Sequence, residues 1–468
     1  MVDFAVVGGG VGGACSALLL SKQFETILCE KESTLGGCSS TFQHKKNFYN
    51  AGATTFAGYQ QGSYMYDFFQ RHHIDFEKKC LPSALTVLIN EKKIERFQDK
   101  NAFIEEINKA FFHFKNRAFY DLIIDINQKF FQLNDYYYSN ANSYEKLKSI
   151  FSFKTLFLKF YPYLFINAES YIKHYFGNIN DEYMNYLENQ VLIVAQAKLK
   201  EVNFLTAALA LSYQFMDNYY VFGGMGSIFN AIEKELPSVK KNHFIEKITP
   251  TASHFILHSS KGDFQAKKIV LNASLFDAAP LFEDTKIKNY INHYKPLNAD
   301  ISAFMVYLTL KTTKKFKHHY QIIHYEVLKY TTSNSLFVSF GDNEDDKMKH
   351  SVTISIHTKS KLWDTRRLLE QKMELEDIIK QIVCERLGLE EREIIHGFSA
   401  TPSTFKRFIN RTTLGGIPMR MENIFFRLPS NNSPIKGLYN IGDTTFAAQG
   451  WLGVMMGVRN LEKLLCKI

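Results

Sequence analysis

Three glycines at fixed offsets, Gly8, Gly10 and Gly13, follow the apolar run Phe4-Ala-Val-Val7 and open the apolar stretch from Ala14 to Ser21. In a strand–turn–helix unit this spacing cradles a pyrophosphate. The first glycine permits a tight turn, the second lets the backbone approach the anion, and the third lets helix and strand pack closely. Gly12 stands in the same loop. The helix start adds free N–H groups and the positive end of a dipole. A second strand-like run, Thr26-Ile-Leu-Cys29, ends at Glu30, and 30 − 8 = 22 puts this acid near the spacing of about 20 expected for a ribose-binding carboxylate. An acid there repels a 2′-phosphate, which favours NAD or FAD over NADP.

A second constellation lies far downstream. Gly437-Leu-Tyr-Asn-Ile-Gly442-Asp443 reads as a strand and turn, and Gln449-Gly450-Trp-Leu-Gly453 opens a helix expected to run to about Leu465. An acid after a strand-ending glycine suits a ribityl hydroxyl or a pyrophosphate edge. A helix start at Gly450 would aim N–H groups at developing negative charge. Alone, the same order also fits a surface turn before an amphipathic helix.

Leu35-Gly36-Gly37 follows Glu30 at once and is succeeded by Cys38-Ser-Ser-Thr41. With these residues the chain resembles the phytoene desaturase, carotenoid cis–trans isomerase and retinol saturase family of FAD-dependent oxidoreductases. Four further segments carry the resemblance: Phe48-Tyr-Asn-Ala-Gly52-Ala-Thr-Thr-Phe56, Tyr220-Val-Phe-Gly223-Gly224-Met-Gly226-Ser, Ile269-Val-Leu-Asn272-Ala-Ser274, and Thr401-Pro402 through Arg407 and Arg411 to Gly415-Gly416. The resemblance implies FAD, held by Gly8, Gly10, Gly12, Gly13, Glu30, Gly36, Gly37, Gly442, Asp443, Gln449, Gly450 and Gly453. It places Gly223, Gly224 and Gly226 on the substrate side. It makes Arg407, Arg411 and Trp451 the candidates for catalysis by position alone.

Most relatives carry Arg after the Gly-Gly pair, where Cys38 stands here, and this departure is closer to the isomerase and saturase branch. Ala447-Ala448 stand where relatives often carry Pro-Gly, and Trp451 is bulkier than usual. The expected reaction acts on carbon–carbon double bonds of an extended lipophilic polyene, with isomerisation or saturation favoured over desaturation. A flavin amine oxidase shares the cradle and is the alternative enzyme. A flavin-free escort of prenylated proteins is the alternative of another class, and the intact Gly8, Gly10, Gly13 and Glu30 argue against it.

Motifs so widely spaced require a discontinuous domain. The expectation is an α/β protein in which residues 1–56, 219–284 and 426–468 form a Rossmann-like FAD-binding domain. It is interleaved with a substrate domain of residues 57–218 and 285–425. The first insert reads mostly helical. The second alternates as strands do in Ile301–Leu310 and Ser351–His357, which points to a mixed sheet under a helical roof. Breaks near Asn178-Ile-Asn180 and Gly341-Asp-Asn343 read as loops.

Residues 148–176 invite two readings. Phe153, Phe157, Phe160 and Leu164 share one helical face, with Ser152, Thr155 and Lys159 opposite, although Leu158 spoils the polar side and Pro162 would kink the helix. Such a segment suits lying in a membrane interface and admitting a lipid-like substrate. It equally suits a core helix roofing the substrate domain.

Composition excludes several classes. The 468 residues are 46% hydrophobic and 22% charged, so the chain is neither disordered nor coiled coil. Lys+Arg minus Asp+Glu is 56 − 47 = +9, too dilute for nucleic acid but suited to an anionic surface. Aromatics reach 15%, which fits a large apolar ligand, a membrane-facing surface or simple codon bias. Six cysteines without a CxxC point to a reduced cytoplasmic compartment, with membrane contact on its cytoplasmic face and no metal site. The pairs His72-His73 and His318-His319 cannot each face one metal, and Asp342–Asp346 lacks the glycine and closing glutamate of a calcium loop. Residues 4–20 lack the basic start of a signal peptide, and the uncharged stretches 202–216 and 444–458 are too short to span a bilayer.

Overall fold

β1 (Val2–Val7), α1 (Val11–Leu20) and β2 (Thr26–Cys29) open the chain as the glycine spacing requires. The computed structural model describes residues 1–133, 136–341, 348–424, 427–447 and 449–466. The stretch Asp342–Asp346, part of the expected loop near Asn343, and Ala448 lie outside the described residues. β3 (Thr41–His44) and β4 (Asn47–Asn50) form a hairpin, followed by β5 (Phe56–Ala57), α2 (Tyr64–Arg71) and β6 (Lys78–Cys80). A second hairpin, β7 (Ser83–Ile89) and β8 (Lys92–Phe97), precedes a run of helices. These are α3 (Lys100–Ala110), α4 (Asn116–Gln132), α5 (Ser143–Ser152), α6 (Lys154–Leu164), α7 (Ala168–Phe176), α8 (Asp181–Ala195) and α9 (Phe204–Ser212).

The chain then returns through β9 (Asn218–Val221), α10 (Gly226–Glu235), β10 (Val239–Lys240), β11 (Ile245–Pro250), β12 (Phe255–Ser259) and β13 (Phe264–Leu271). After α11 (Thr285–His293) come β14 (Ile301–Lys311), β15 (His319–Ile323), β16 (Ser335–Gly341) and β17 (Lys349–Lys359). The last elements are α12 (Leu368–Leu387), β18 (Ile394–Ala400), α13 (Pro402–Ile409), β19 (Leu438–Asn440) and α14 (Gly450–Leu465).

The first sheet runs β10-β2-β1-β13-β12-β11, and β19 also pairs with β13. Its centre is parallel: β1 lies between β2 and β13. β13 serves two partners on one edge, β12 along Phe264–Ala266 and β19 along Ile269–Leu271. Both faces are covered, which explains the unbroken apolar run of β1. Phe4 and Val6 pack with α1, α10 and α14, while Ala5 and Val7 face the core that includes Ile287 and Ile291 of α11. Helix α11 therefore serves the first sheet, although the sequence reading places residues from 285 on in the second unit.

The second sheet is mixed, in the order β18-β14-β17-β16-β15-β7-β8, and among the described residues only β15 and β7 pair in parallel within it. The β7–β8 hairpin within residues 57–218 thus belongs to the sheet, so this insert is less purely helical than its sequence reads. β14 shows the two-residue period directly. Phe304, Val306, Leu308 and Leu310 pack toward Leu375, Ile379 and Val383 of α12. Ala303 and Met305 face the opposite side, under the roof of α4, α6, α8 and α9.

The roof settles one of the two readings of residues 148–176. Phe160 and Leu164 are buried in the roof core, Phe157 packs against it, and Phe153 lines the central cavity. The face expected to meet a membrane is therefore the core face. No described helix is long and apolar enough to cross a membrane.

Candidate functional site

The glycine loop is built as its spacing requires. Gly8 has φ +98°, and Gly10 is the N-cap of α1 with no side chain capping the helix. A Cβ on Gly13 would lie 1.9 Å from the Gly8 carbonyl oxygen, so helix and strand touch there. A Cβ on Gly10 would meet only the Asn272 carboxamide, at 3.0 Å, and its remaining side is open to the cavity. Gly12 faces Ile441 and Gly442 as well as Asn272 and joins the N-terminal loop to the C-terminal turn.

Glu30 ends β2 and lines the cavity. One carboxylate oxygen accepts from the Gly9 N–H at 2.6 Å and the other from the Glu32 N–H at 2.8 Å. Burial raises its pKa above the ordinary glutamate value, against the lowering effect of those two N–H groups. Gly36 (φ +119°) donates its N–H to the Gly9 carbonyl at 2.8 Å and bridges Gly10, so the Gly-Gly motif is stitched to the first loop.

Asn272 escaped the sequence reading as a site residue. It ends β13, donates its backbone N–H to Val7 O at 2.9 Å, and donates from its side chain to Gly8 O at 3.1 Å. Its carboxamide is also the nearest neighbour a Cβ on Gly442 would meet. One side chain thus braces both glycine turns. Its only sequence signal was its place at the end of a strand.

From the C-terminal side, Gly442 (φ +118°) turns the chain after β19, and Asp443 accepts from Nη1 of Arg411 at 3.0 Å. Arg411 also donates from Nε to Thr413 O at 2.6 Å, and its Nη2 is buried with no hydrogen-bond partner among the described residues. Burial opposes the charge on Arg411, but Asp443 beside it more than offsets this and raises its pKa. Helix α14 starts at Gly450 with no side-chain cap, because Gln449 donates instead to Val194 O at the end of α8. Gln449, Gly450 and Gly453 line the cavity together with Gly36, Gly37, Gly442 and Asp443.

These groups border a cavity of about 790 Å³ that continues between the second sheet and the roof. Ala303, Met305, Phe337 and His357 form its floor, and Phe130, Phe153, Leu156, Val194, Leu209 and Tyr213 its roof. Cys38 lies where the two parts meet, and burial pushes its thiol up to about 11, so it is a neutral side chain at physiological pH. On the floor, burial lowers His357 to about 4 and keeps it neutral as well. Among the described residues the acids lining the cavity are Glu30, Asp277 and Asp443, all on the side of the glycine turns.

Other expected residues lie elsewhere. Arg407 is exposed and touches the site only through its backbone carbonyl, which accepts from Lys31 at 2.6 Å. The Trp451 ring packs in an aromatic cluster, with centroids 5.2 Å from Phe56 and 5.6 Å from Phe229, and the residue borders the cavity from the first turn of α14. Gly223, Gly224 and Gly226 are absent from the described lining; Gly224 and Gly226 pack on the β3–β4 hairpin, where Gly226 N donates to the Thr41 hydroxyl at 2.8 Å, and Gly223 stands against Ser227. This turn has its glycine geometry, with φ +70° and +82° at Gly223 and Gly224.

The site fits a flavin dinucleotide on its own observations. Gly10 leaves an open flank beside an uncapped helix start, a partly buried acid follows β2, and a second uncapped helix start at Gly450 faces the same cavity. Comparison with known proteins agrees with this architecture. A family signature described as an NAD(P)-binding Rossmann-like domain matches residues 6–72. Prolycopene isomerase 2 of the Oncidium hybrid cultivar is 23% identical over 97% of this chain and 81% of its own length. A 4,4′-diapophytoene desaturase of Methylomonas sp. is 22% identical over 67% of this chain and 62% of its own.

Among solved structures, an oxidoreductase from Methanosarcina mazei superposes with a TM-score of 0.67 at 15% identity, covering 98% of this chain and 100% of the other. Cyclohexylamine oxidase from Brevibacterium oxydans superposes with a TM-score of 0.61 at 13% identity, covering 99% and 97%. The fold is that of the flavin-dependent amine oxidases and desaturases. The resemblance carried by the motifs extends over nearly all of the sequence, which is similar to the carotenoid isomerase and desaturase family of oxidoreductases.

Proposed function

We propose that the protein is an FAD-dependent oxidoreductase acting on carbon–carbon double bonds of an extended lipophilic polyene, with isomerisation or saturation favoured over desaturation. One observation carries this reading: a single cavity joins the glycine turns to an apolar chamber roofed by aromatic side chains. Gly10, Glu30, Gly36, Gly442, Asp443 and the start of α14 would hold the cofactor. When bound, the flavin supplies or accepts the electrons of the reaction.

The remaining work falls to the chain. The apolar walls bind a hydrocarbon and exclude water, while the floor of the second sheet and the roof helices fix its orientation. The described residues offer no acid on the apolar walls, so an amine substrate would bring its charge to a surface without a counter-ion. This favours a polyene over an amine. The similarity to prolycopene isomerases along 97% of the chain supports isomerisation as the reaction class.

The test uses the purified flavoprotein, photoreduced without oxygen, and a cis-polyene. Double-bond geometry and flavin absorbance are followed together. Change of geometry without net flavin oxidation is expected. Turnover only with oxidised flavin, forming one double bond per flavin reduced, would place the protein with the desaturases. Peroxide formation with amines would support the amine oxidase reading instead.

A further inference from the structure

Helices α5 and α6 meet directly at Phe153, which caps the end of one and the start of the other. α6 buries one face in the roof and leaves further apolar side chains in solvent, whereas α5 buries Ser149 and carries its large apolar side chains in solvent. On α5, Tyr144, Leu147 and Phe151 recur at i, i+3 and i+7 and are exposed, with Ile150 beside them. On α6, Leu158 and Tyr161 are 71% and 67% exposed, although Leu156, Phe160 and Leu164 on the same helix are buried. A helix that is apolar on both sides is expected to be covered on both. Exposed side chains of this size, gathered on two joined helices, mark an interaction surface.

The charge around the patch identifies what covers it. Lys146, Lys148, Lys154 and Lys159 are all exposed on the same two helices, against the single acid Glu145, which is engaged by the Tyr137 hydroxyl. A second copy of the chain docking by twofold symmetry would bring these lysines against themselves. An anionic surface would attract them. The location fits as well, since Phe153 and Leu156 line the cavity from beneath the same helices.

We propose that α5 and α6 dock the protein on an anionic lipid bilayer. Tyr144, Leu147, Ile150, Phe151, Leu158 and Tyr161 enter the interface, and the four lysines meet the headgroups. On α6 these side chains flank the face whose periodicity drew attention in the sequence. The docking surface lies over the apolar chamber, and its existence does not depend on the flavin chemistry.

The experiment is flotation of the full-length protein with vesicles of phosphatidylcholine containing a quarter phosphatidylglycerol. Three proteins are compared: wild type, a Phe151→Ser, Leu158→Ser, Tyr161→Ser variant, and a variant with the four lysines changed to Gln. Wild type is expected to float. The apolar variant should lose at least about tenfold in bound fraction, and the lysine variant should lose the preference for anionic over neutral vesicles. A Tyr161→Trp reporter should shift its emission to the blue on vesicle binding, which tests the surface in a variant that keeps the rest of the patch.

Equal flotation of wild type and the apolar variant, or an unchanged emission of the Trp reporter, would overturn the proposal. Sedimentation showing a wild-type dimer that the apolar substitutions dissociate, with no flotation, would assign the patch to a second copy instead.

Discussion

Arg411 donates from Nη1 to Oδ1 of Asp443 at 3.0 Å, and the two side chains are only 12% and 20% exposed. This pair ties the loop after α13 to the turn after β19, two segments that the sequence reading assigned to different domains. Its position beside Cys38 sets a cation next to the Gly-Gly motif.

Removing one partner strands the other. Arg411→Met should destabilise the protein by about 3 kcal/mol, the low end of the range for breaking a buried pair. The double variant Arg411→Met, Asp443→Asn should recover much of that loss. Thermal melts of the two single variants and the double variant, read as a cycle, measure the coupling.

The glycine loop predicts two different failures. Gly10→Val should leave a folded but colourless protein, because its side chain occupies the open flank beside the start of α1. Gly13→Ala should fail earlier, since its Cβ would stand 1.9 Å from a backbone oxygen that cannot move without breaking β1, and the cost would reach or exceed about 3 kcal/mol. Circular dichroism and flavin absorbance on purified protein separate the two. Stoichiometric flavin in Gly10→Val would mean that the pyrophosphate lies elsewhere.

Glu30 links flavin affinity to pH. Burial raises its folded pKa above the ordinary 4.5, so folding of the apoprotein favours its protonated form more than the unfolded chain does. Its contribution to stability is therefore fully present below pH 4.5 and is lost as pH rises through the folded pKa. Glu30→Gln should flatten the apoprotein's stability profile in that window. The same substitution should weaken FAD binding by about 1–3 kcal/mol, the scale of charge-assisted hydrogen bonds, in a fluorescence titration.

The chamber floor offers a substitution that separates cofactor from substrate. Ala303 lies on β14 and faces the cavity, where there is space for a larger side chain. Ala303→Phe should keep the fold and the flavin but lower turnover of a long polyene at least about tenfold. Loss of flavin in this variant would place the isoalloxazine-binding region deeper under the second sheet than the glycine turns imply.

The cradle was legible because its geometry admits almost no other residue. Gly8 and Gly442 take positive φ, and Gly13 touches backbone, so type and spacing both report structure. Asn272 was not legible, since an asparagine after a strand has many uses and only the fold brings it between two distant turns. Arg411 was found, but its role was not, because its partner lies 32 residues away. On α6 both faces are apolar, so periodicity revealed the helix but could not say which side met the core. The parallel pairing of β7 with β15 joins segments too far apart in sequence for any local pattern to announce.

The order in which the chain is made adds a temporal constraint. β19 spans Leu438–Asn440 and α14 spans Gly450–Leu465, yet Gly12 packs against Ile441 and α1 packs against α14. A ribosome-bound chain that has emerged only through α13 therefore holds half of a dinucleotide site and an apolar flank of α1 with nothing on it. Flavin capture must be a late event, following closure of the two ends, and until then this flank is a surface for chaperones or for aggregation. Supply of the cofactor during synthesis should accordingly act on the final yield of soluble protein rather than on the folding of its first half.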